Sequence, residues 1–264
     1  MSRRHSGSRQ FGASVALLLG GLLLCYYLAP LLSLLTYQSP TAVAQRLSDP
    51  DVTAAASTSV TTAAASATVA TLFGVPLAYW LARAEGVART AVTAVVVLPL
   101  VLPPIVSGMV LLTLVGPGTA LGGLAAAGGI SLTRSAVGVV LAQTFVASPF
   151  VVVTAKTAFE RVDRRLEEAS QSLGQGPLGT FRRVTLPLAW PGILAGVTLA
   201  FARALGEFGA TVMLAYYPRT MPVQIWVSFT TQGVGSAFPV AVVLVGVAVA
   251  ALVVLEALGT NPLK

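Results

Sequence analysis

The feature that most constrains this sequence is a set of long stretches without any charged residue. Residues 10–45 and 52–82 contain no Asp, Glu, Lys or Arg, and charged residues make up only 9% of the 264-residue chain. A soluble domain carries about 25% charged residues, and about 18 or more consecutive apolar residues are enough for a transmembrane helix. We therefore predict an all-α, polytopic membrane protein.

The apolar stretches indicate six transmembrane helices in a single domain that covers residues 1–264. We place these predicted spans at about 11–37, 63–81, 91–115, 135–155, 189–214 and 237–255. With the N-terminus inside, 12 of the 16 Lys and Arg residues fall on the cytoplasmic side and three, at positions 46, 134 and 219, fall outside. Since basic residues accumulate on the cytoplasmic side, we predict that both termini are cytoplasmic. The net charge of +7 then reflects membrane topology rather than nucleic-acid binding.

A charged segment separates the fourth predicted span from the fifth. Residues 156–183 hold 10 of the 25 charged residues of the chain. Such a segment cannot lie in hydrocarbon, where charge is costly, and it must contact water at the cytoplasmic face. Its sequence predicts a polar helix, a glycine break and a second helix. We interpret residues 156–187, here named the coupling region, as a surface that another protein binds.

The coupling region carries a spaced motif. Glu168-Ala169-Ser170 is followed by Gly174 and then by Val184-Thr185-Leu186-Pro187. The spacing resembles the EAA signature of binding-protein-dependent ABC importer permeases, although that family prefers Ala at the position of Ser170 and Ile at that of Val184. The resemblance implies a type I importer fold in which the helix at Glu168, Ala169 and Ser170 docks into a cytoplasmic ATPase. Gly174 would break that helix, and Leu186 and Pro187 would begin the fifth span.

Two further segments narrow the resemblance. The segment 201–211 (FARALGEFGAT) resembles the fifth span of molybdate and tungstate permeases, and 98–104 (LPLVLPP) resembles their third span. Sulfate permeases are related, but they tend to carry Tyr where this chain has Phe208. The resemblance implies the permease of a molybdate or tungstate importer, with a sulfate or thiosulfate permease as the alternative. It also implies a homodimer, a dimer of ABC ATPases, an extracytoplasmic oxyanion-binding protein and a prokaryotic cell membrane.

The fifth predicted span contains two charges. Small residues recur every four positions, at Gly192, Gly196, Ala200 and Ala204, and this row permits close helix packing. On a helical wheel Arg203 and Glu207 lie near this row, and their i,i+4 spacing allows them to form an ion pair. The pair either locks the spans together or shapes the translocation pathway and its gate, and the sequence favours the structural role.

The third predicted span is interrupted by prolines. Pro99, Pro103 and Pro104 lack the backbone N–H that a continuous helix requires. Irregular backbone at membrane depth is tolerated where it lines a cavity or is buried in protein. We therefore assign Pro103, Pro104 and the following Ser107 as candidates for the pathway, with a simple packing kink as the alternative.

Other functions find little support in the sequence. The chain has no Gly-Lys dipeptide and hence no phosphate-binding loop of the Walker type. We expect no enzyme activity, no cofactor, no catalytic residue and, with one Cys and one His, no metal site. A stand-alone secondary transporter is a weaker alternative, because only Arg203 and Glu207 could couple transport to an ion.

Overall fold

A computed structural model of the chain describes residues 4–37 and 39–259, and in this part all regular structure is helical. The elements are α1 (Arg4–Tyr37), α2 (Pro40–Leu47), α3 (Pro50–Arg83), α4 (Gly86–Val101), α5 (Pro104–Val115), α6 (Ala120–Ala127), α7 (Ala136–Glu160), α8 (Arg164–Ser172), α9 (Pro177–Thr180), a π-helical turn (Phe181–Thr185), α10 (Leu186–Leu205), α11 (Gly209–Leu214), α12 (Met221–Gln232) and α13 (Val234–Gly259). Arg3 and Lys264, which entered the charge count above, lie outside the described residues.

The core is formed by α3, α7 and α10, and small residues allow these helices to pack closely. A Cβ atom added at Gly196 of α10 would overlap Thr154 Oγ1 of α7 and would lie 3.2 Å from the carbonyl oxygen of Phe150. On α3, Gly74 approaches Val152 of α7 in a similar way. The row of small residues on the fifth predicted span is therefore a packing surface, as the sequence predicted.

The third predicted span, 91–115, is not one helix. Its two parts, α4 and α5, are bent by 119° at a short break. Leu102 has an extended backbone (ψ 134°) at this break, because the proline that follows disfavours the helical conformation of the residue before it. By length and composition the described residues contain five helices able to cross a membrane, or six if this bent pair is one span.

The fifth predicted span, 189–214, also differs from expectation. The helical segment begins earlier, at Pro177, and runs through the π-helical turn to Leu205. It ends at Gly206, and residues 206–208 separate it from the short α11. The expectation of one helix that carries both Arg203 and Glu207 was therefore wrong, since only Arg203 lies in a helix.

The N-terminal helix makes few contacts with the rest of the described chain. Its described apolar side chains from Val15 to Leu35 are exposed except for the half-buried Leu34, and none of its 23-residue apolar span is buried. It has only a small contact with α13. A helix of this composition is stable in a lipid bilayer or against another apolar surface, but not in water.

Candidate coupling and translocation site

The coupling helix α8 has well-defined ends. Asp163 precedes the helix, and its carboxylate accepts a hydrogen bond from the N–H of Arg165 at 2.9 Å. Gly174 follows the helix with φ +87°, a conformation that favours glycine because it has no Cβ. The N–H of Gln175 then donates to the Ser170 carbonyl at 3.2 Å. The helix, glycine break and second helix that the sequence predicted are therefore present.

The predicted coupling residues lie on different sides of this unit. Glu168 and Ala169 are exposed, whereas Ser170 is buried and its hydroxyl shares a 3.2 Å hydrogen bond with that of Thr180 on α9. The departure from Ala at position 170 thus has a structural use, since it joins α8 to α9. Leu186 and Pro187 are the first residues of α10, but they do not begin the fifth span as expected, because the helical segment already runs from Pro177 through the π-helical turn.

Sequence reasoning did not select Glu167, which is the main ionic contact of α8. One carboxylate oxygen, Oε1, accepts a hydrogen bond from Arg83 Nη2 at the end of α3 and another, at 2.6 Å, from the buried hydroxyl of Thr185. The side chains of Arg83 and Glu167 are 21% and 14% exposed, so water screens this ion pair only partly. The only sequence signal was the position of Glu167 next to the spaced motif.

A second group of ion pairs lies nearby on α7. Glu160 pairs with Arg89 of α4 at 2.6 Å and with Lys156, one helical turn away, at 3.3 Å. The side chains of Glu160 and Arg89 are 34% and 37% exposed, so this ion pair is more exposed to water than the pair of Arg83 and Glu167. This group connects α4 to α7 and does not involve α8.

The predicted pathway residues of the third span lie where α5 meets α11. A Cβ added at Gly209 would lie 2.7 Å from the Cβ of Pro104, and one added at Gly108 would lie 2.8 Å from the Ala210 carbonyl oxygen. Ser107, beside this contact, is fully buried, and its hydroxyl has no hydrogen-bond partner among the described residues. Pro103 and Pro104 are exposed at the break.

Arg203 and Glu207 form an ion pair across the end of α10. The pair survives the helix break because the backbone continues in a helix-like turn, in which the Glu207 N–H donates to the Ala204 carbonyl at 3.1 Å. Glu207 Oε1 also accepts a hydrogen bond from the N–H of Ala210 at 2.7 Å, in the first turn of α11. Glu207 is 1% exposed and the Arg203 side chain 28%. The pair thus joins α10 to α11, which is the geometry of a structural lock.

The comparison with known proteins agrees with this architecture. The family model described as "binding-protein-dependent transport system inner membrane component" matches residues 74–260. A probable molybdenum ABC transporter permease protein of Haloferax volcanii is 57% identical over 99% of each chain. A molybdate/tungstate transport system permease protein of Pyrococcus abyssi is 33% identical over 95% of this chain and 96% of its own.

A solved structure shows the same fold. It is described as a bacterial ABC transporter involved in the import of the acidic polysaccharide alginate, and it superposes with a TM-score of 0.70 over the whole of both chains at 16% identity. That identity supports the fold alone, whereas the family model and the two relatives extend over most of the sequence. The chain therefore belongs to the family of binding-protein-dependent transport system inner membrane components, the permease subunits of ABC importers.

Proposed function

We propose that this multi-pass membrane protein is the permease subunit of an importer for molybdate or tungstate. The observation that carries the proposal is the identity of 57%, over 99% of both chains, with the Haloferax volcanii protein, whose name specifies molybdenum. Phe208, in the segment that resembles molybdate and tungstate permeases, supports the same choice over sulfate or thiosulfate. ATP hydrolysis belongs to a separate subunit, because permeases of this family lack an ATP-binding motif.

The proposal includes docking of a cytoplasmic ATPase on α8. Glu168 and Ala169 are exposed there, and Leu173, at the end of the helix, is 84% exposed. These exposed side chains are accessible to a protein that approaches α8 from the cytoplasm. Two permease copies would form the pathway, and each would bind one ATPase through this surface.

The proposed pathway passes the junction of α5 and α11. At this junction the backbone leaves regular helix at residues 206–208, and Ser107 contributes a buried hydroxyl without a hydrogen-bond partner among the described residues. A tetrahedral dianion that has to be released again is better served by hydroxyl groups and backbone dipoles than by an unpaired cation. ATP-driven closure of the ATPase pair would move α8 and so change how α5 and α11 pack at Ser107. An extracytoplasmic binding protein would deliver the oxyanion from outside.

The test is oxyanion uptake by vesicles that contain this chain with its ATPase and binding protein. Molybdate, tungstate and sulfate are compared at equal concentration, with and without ATP. We expect ATP-dependent uptake of molybdate or tungstate and little uptake of sulfate. Preferred uptake of sulfate would show that the protein is an importer of sulfate rather than of molybdate or tungstate. Uptake by the permease alone, driven by an ion gradient, would instead favour a secondary transporter.

A further inference from the structure

The coupling helix α8 is attached to the membrane helices mainly through one carboxylate. In the fold, α8 packs against α9 and the π-helical turn. Among the described residues, its side-chain hydrogen bonds to other elements are made by Ser170 and Glu167. Ser170 reaches only Thr180 on the adjacent α9. Among the described residues, only Glu167 bonds to α3, through Arg83, and to Thr185, the last residue of the π-helical turn that leads into α10.

The partners of Glu167 are themselves held in place. The Arg83 guanidinium donates to the carbonyl oxygen of Phe159 at 3.4 Å and lies 5.4 Å from the centre of the Tyr79 ring. Tyr79 in turn packs edge-on against Phe159 and Phe181, with ring centroids 5.3 and 5.0 Å apart. Arg83 is therefore fixed by aromatic side chains of α3, α7 and the π-helical turn, and a displacement of Glu167 acts on this rigid cluster.

The neighbouring acid has the opposite environment. Glu168 is exposed, and no hydrogen bond or ion pair of its side chain is found among the described residues. Adjacent residues of a helix differ in direction by about 100°. The two acids of α8 thus face different surroundings, because Glu168 points to water, where an ATPase would bind, and Glu167 points to the membrane helices.

We propose that Glu167 is a positioning residue that transmits the movement of α8 to α3 and α10, so that ATP hydrolysis drives transport. A rigid element that moves against a membrane helix needs a contact that is strong and directional, and a charge-assisted hydrogen bond to a fixed guanidinium meets both requirements. The proposal rests on the docking of the ATPase at α8. Thr185 extends the same contact to the end of the π-helical turn, which continues directly into α10.

The test uses the assembled importer in proteoliposomes, with ATP hydrolysis and molybdate uptake measured on the same sample. Glu167→Gln removes the charge but keeps the size of the side chain, and Thr185→Val removes the hydroxyl. Arg89→Gln is the matched control, since it removes the nearby ion pair with Glu160, which does not involve α8, and lies outside the coupling region. We expect Glu167→Gln to assemble and hydrolyse ATP while molybdate imported per ATP falls about tenfold, because a neutral amide forms a weaker hydrogen bond to the Arg83 guanidinium than a carboxylate does. Thr185→Val should lower the ratio less, and Arg89→Gln should leave it unchanged.

A charge exchange distinguishes a specific contact from a general loss of folding. Arg83→Glu and Glu167→Arg should each uncouple the importer, and the double variant should recover a substantial part of the transport per ATP. The proposal is wrong if Glu167→Gln keeps the wild-type ratio, if uptake and hydrolysis fall only in proportion to the amount of assembled complex, or if the double variant is no better than the worse single one. Failure of the wild-type chain to bind the ATPase or to import molybdate would instead contradict the proposed function.

Discussion

At the scale of single residues, glycines decide how closely the membrane helices pack. Gly196 and Gly246 both lie in apolar helices, but their surroundings differ. A Cβ at Gly196 would overlap Thr154 Oγ1 and press on the backbone of α7, whereas a Cβ at Gly246 of α13 would meet no atom within 4 Å. The two positions therefore separate the packing effect of a methyl group from its effect on helix propensity.

We predict that Gly196→Ala destabilises the protein by about 1–3 kcal/mol, as overpacking of a tight contact does. Gly246→Ala should be neutral or slightly stabilising, because Ala is favoured over Gly inside a helix by about 0.5–1 kcal/mol. The melting temperature of the purified protein in detergent measures both effects. Equal melting temperatures for the two variants would show that α7 and α10 are not in the close contact described.

At the same scale, residue patterns determine which features of the packing and of the candidate site could be predicted from the sequence. The row of small residues on α10 was visible because its period matches a helix, and Gly174 was visible because its spacing matches a family motif. Glu167 was not visible, because its importance comes from Arg83 and Thr185, which are 84 and 18 positions away in the sequence. A single sequence does not reveal which acid of an adjacent pair faces inward.

At the scale of elements, hydropathy predicted the helices but not every break. The break before α5 was visible, since prolines cannot donate the required hydrogen bonds. The break after α10 was not, because the residues around Gly206 include no proline. It depends on Glu207, whose carboxylate binds the first turn of α11 while it pairs with Arg203.

This junction gives a prediction that separates a structural lock from a gate. Glu207→Ala leaves the Ala210 N–H and the Arg203 guanidinium without their carboxylate, at a cost of about 1–3 kcal/mol for each buried group left unsatisfied. The double variant Arg203→Met, Glu207→Met removes both charges and should recover the part of the lost stability that comes from the unpaired Arg203, while the Ala210 N–H stays without its acceptor. Melting temperature and molybdate uptake are measured for both variants.

The two roles predict different results for the double variant. If the pair is a lock, uptake should recover together with stability. A double variant that is as stable as the wild type but does not transport would assign the pair to the gate. Glu207→Ala with unchanged stability would contradict the lock, since Arg203 and the Ala210 N–H would then not depend on the carboxylate.

At the scale of the whole molecule, the orientation in the membrane stays a prediction from charge, and the structure provides positions that test it. Leu173, at the end of α8, is 84% exposed, and Ile130, in the loop after α6, is 52% exposed. The charge count places Leu173 in the cytoplasm and Ile130 outside, because 12 basic residues lie on one side and three on the other. Cys25 is the single cysteine of the chain, so Cys25→Ser provides a background without thiols.

In that background, Leu173→Cys should react with a membrane-impermeant maleimide only after the cells are opened, and Ile130→Cys should react in intact cells. The reason is that α7 lies between the two positions and carries the chain across the membrane once. Labelling of both cysteines after lysis is the control for accessibility. The reverse pattern would place α8 outside, where no cytoplasmic ATPase could bind it, and would overturn the coupling assignment. Labelling of both cysteines in intact cells would instead show that α7 does not span the membrane.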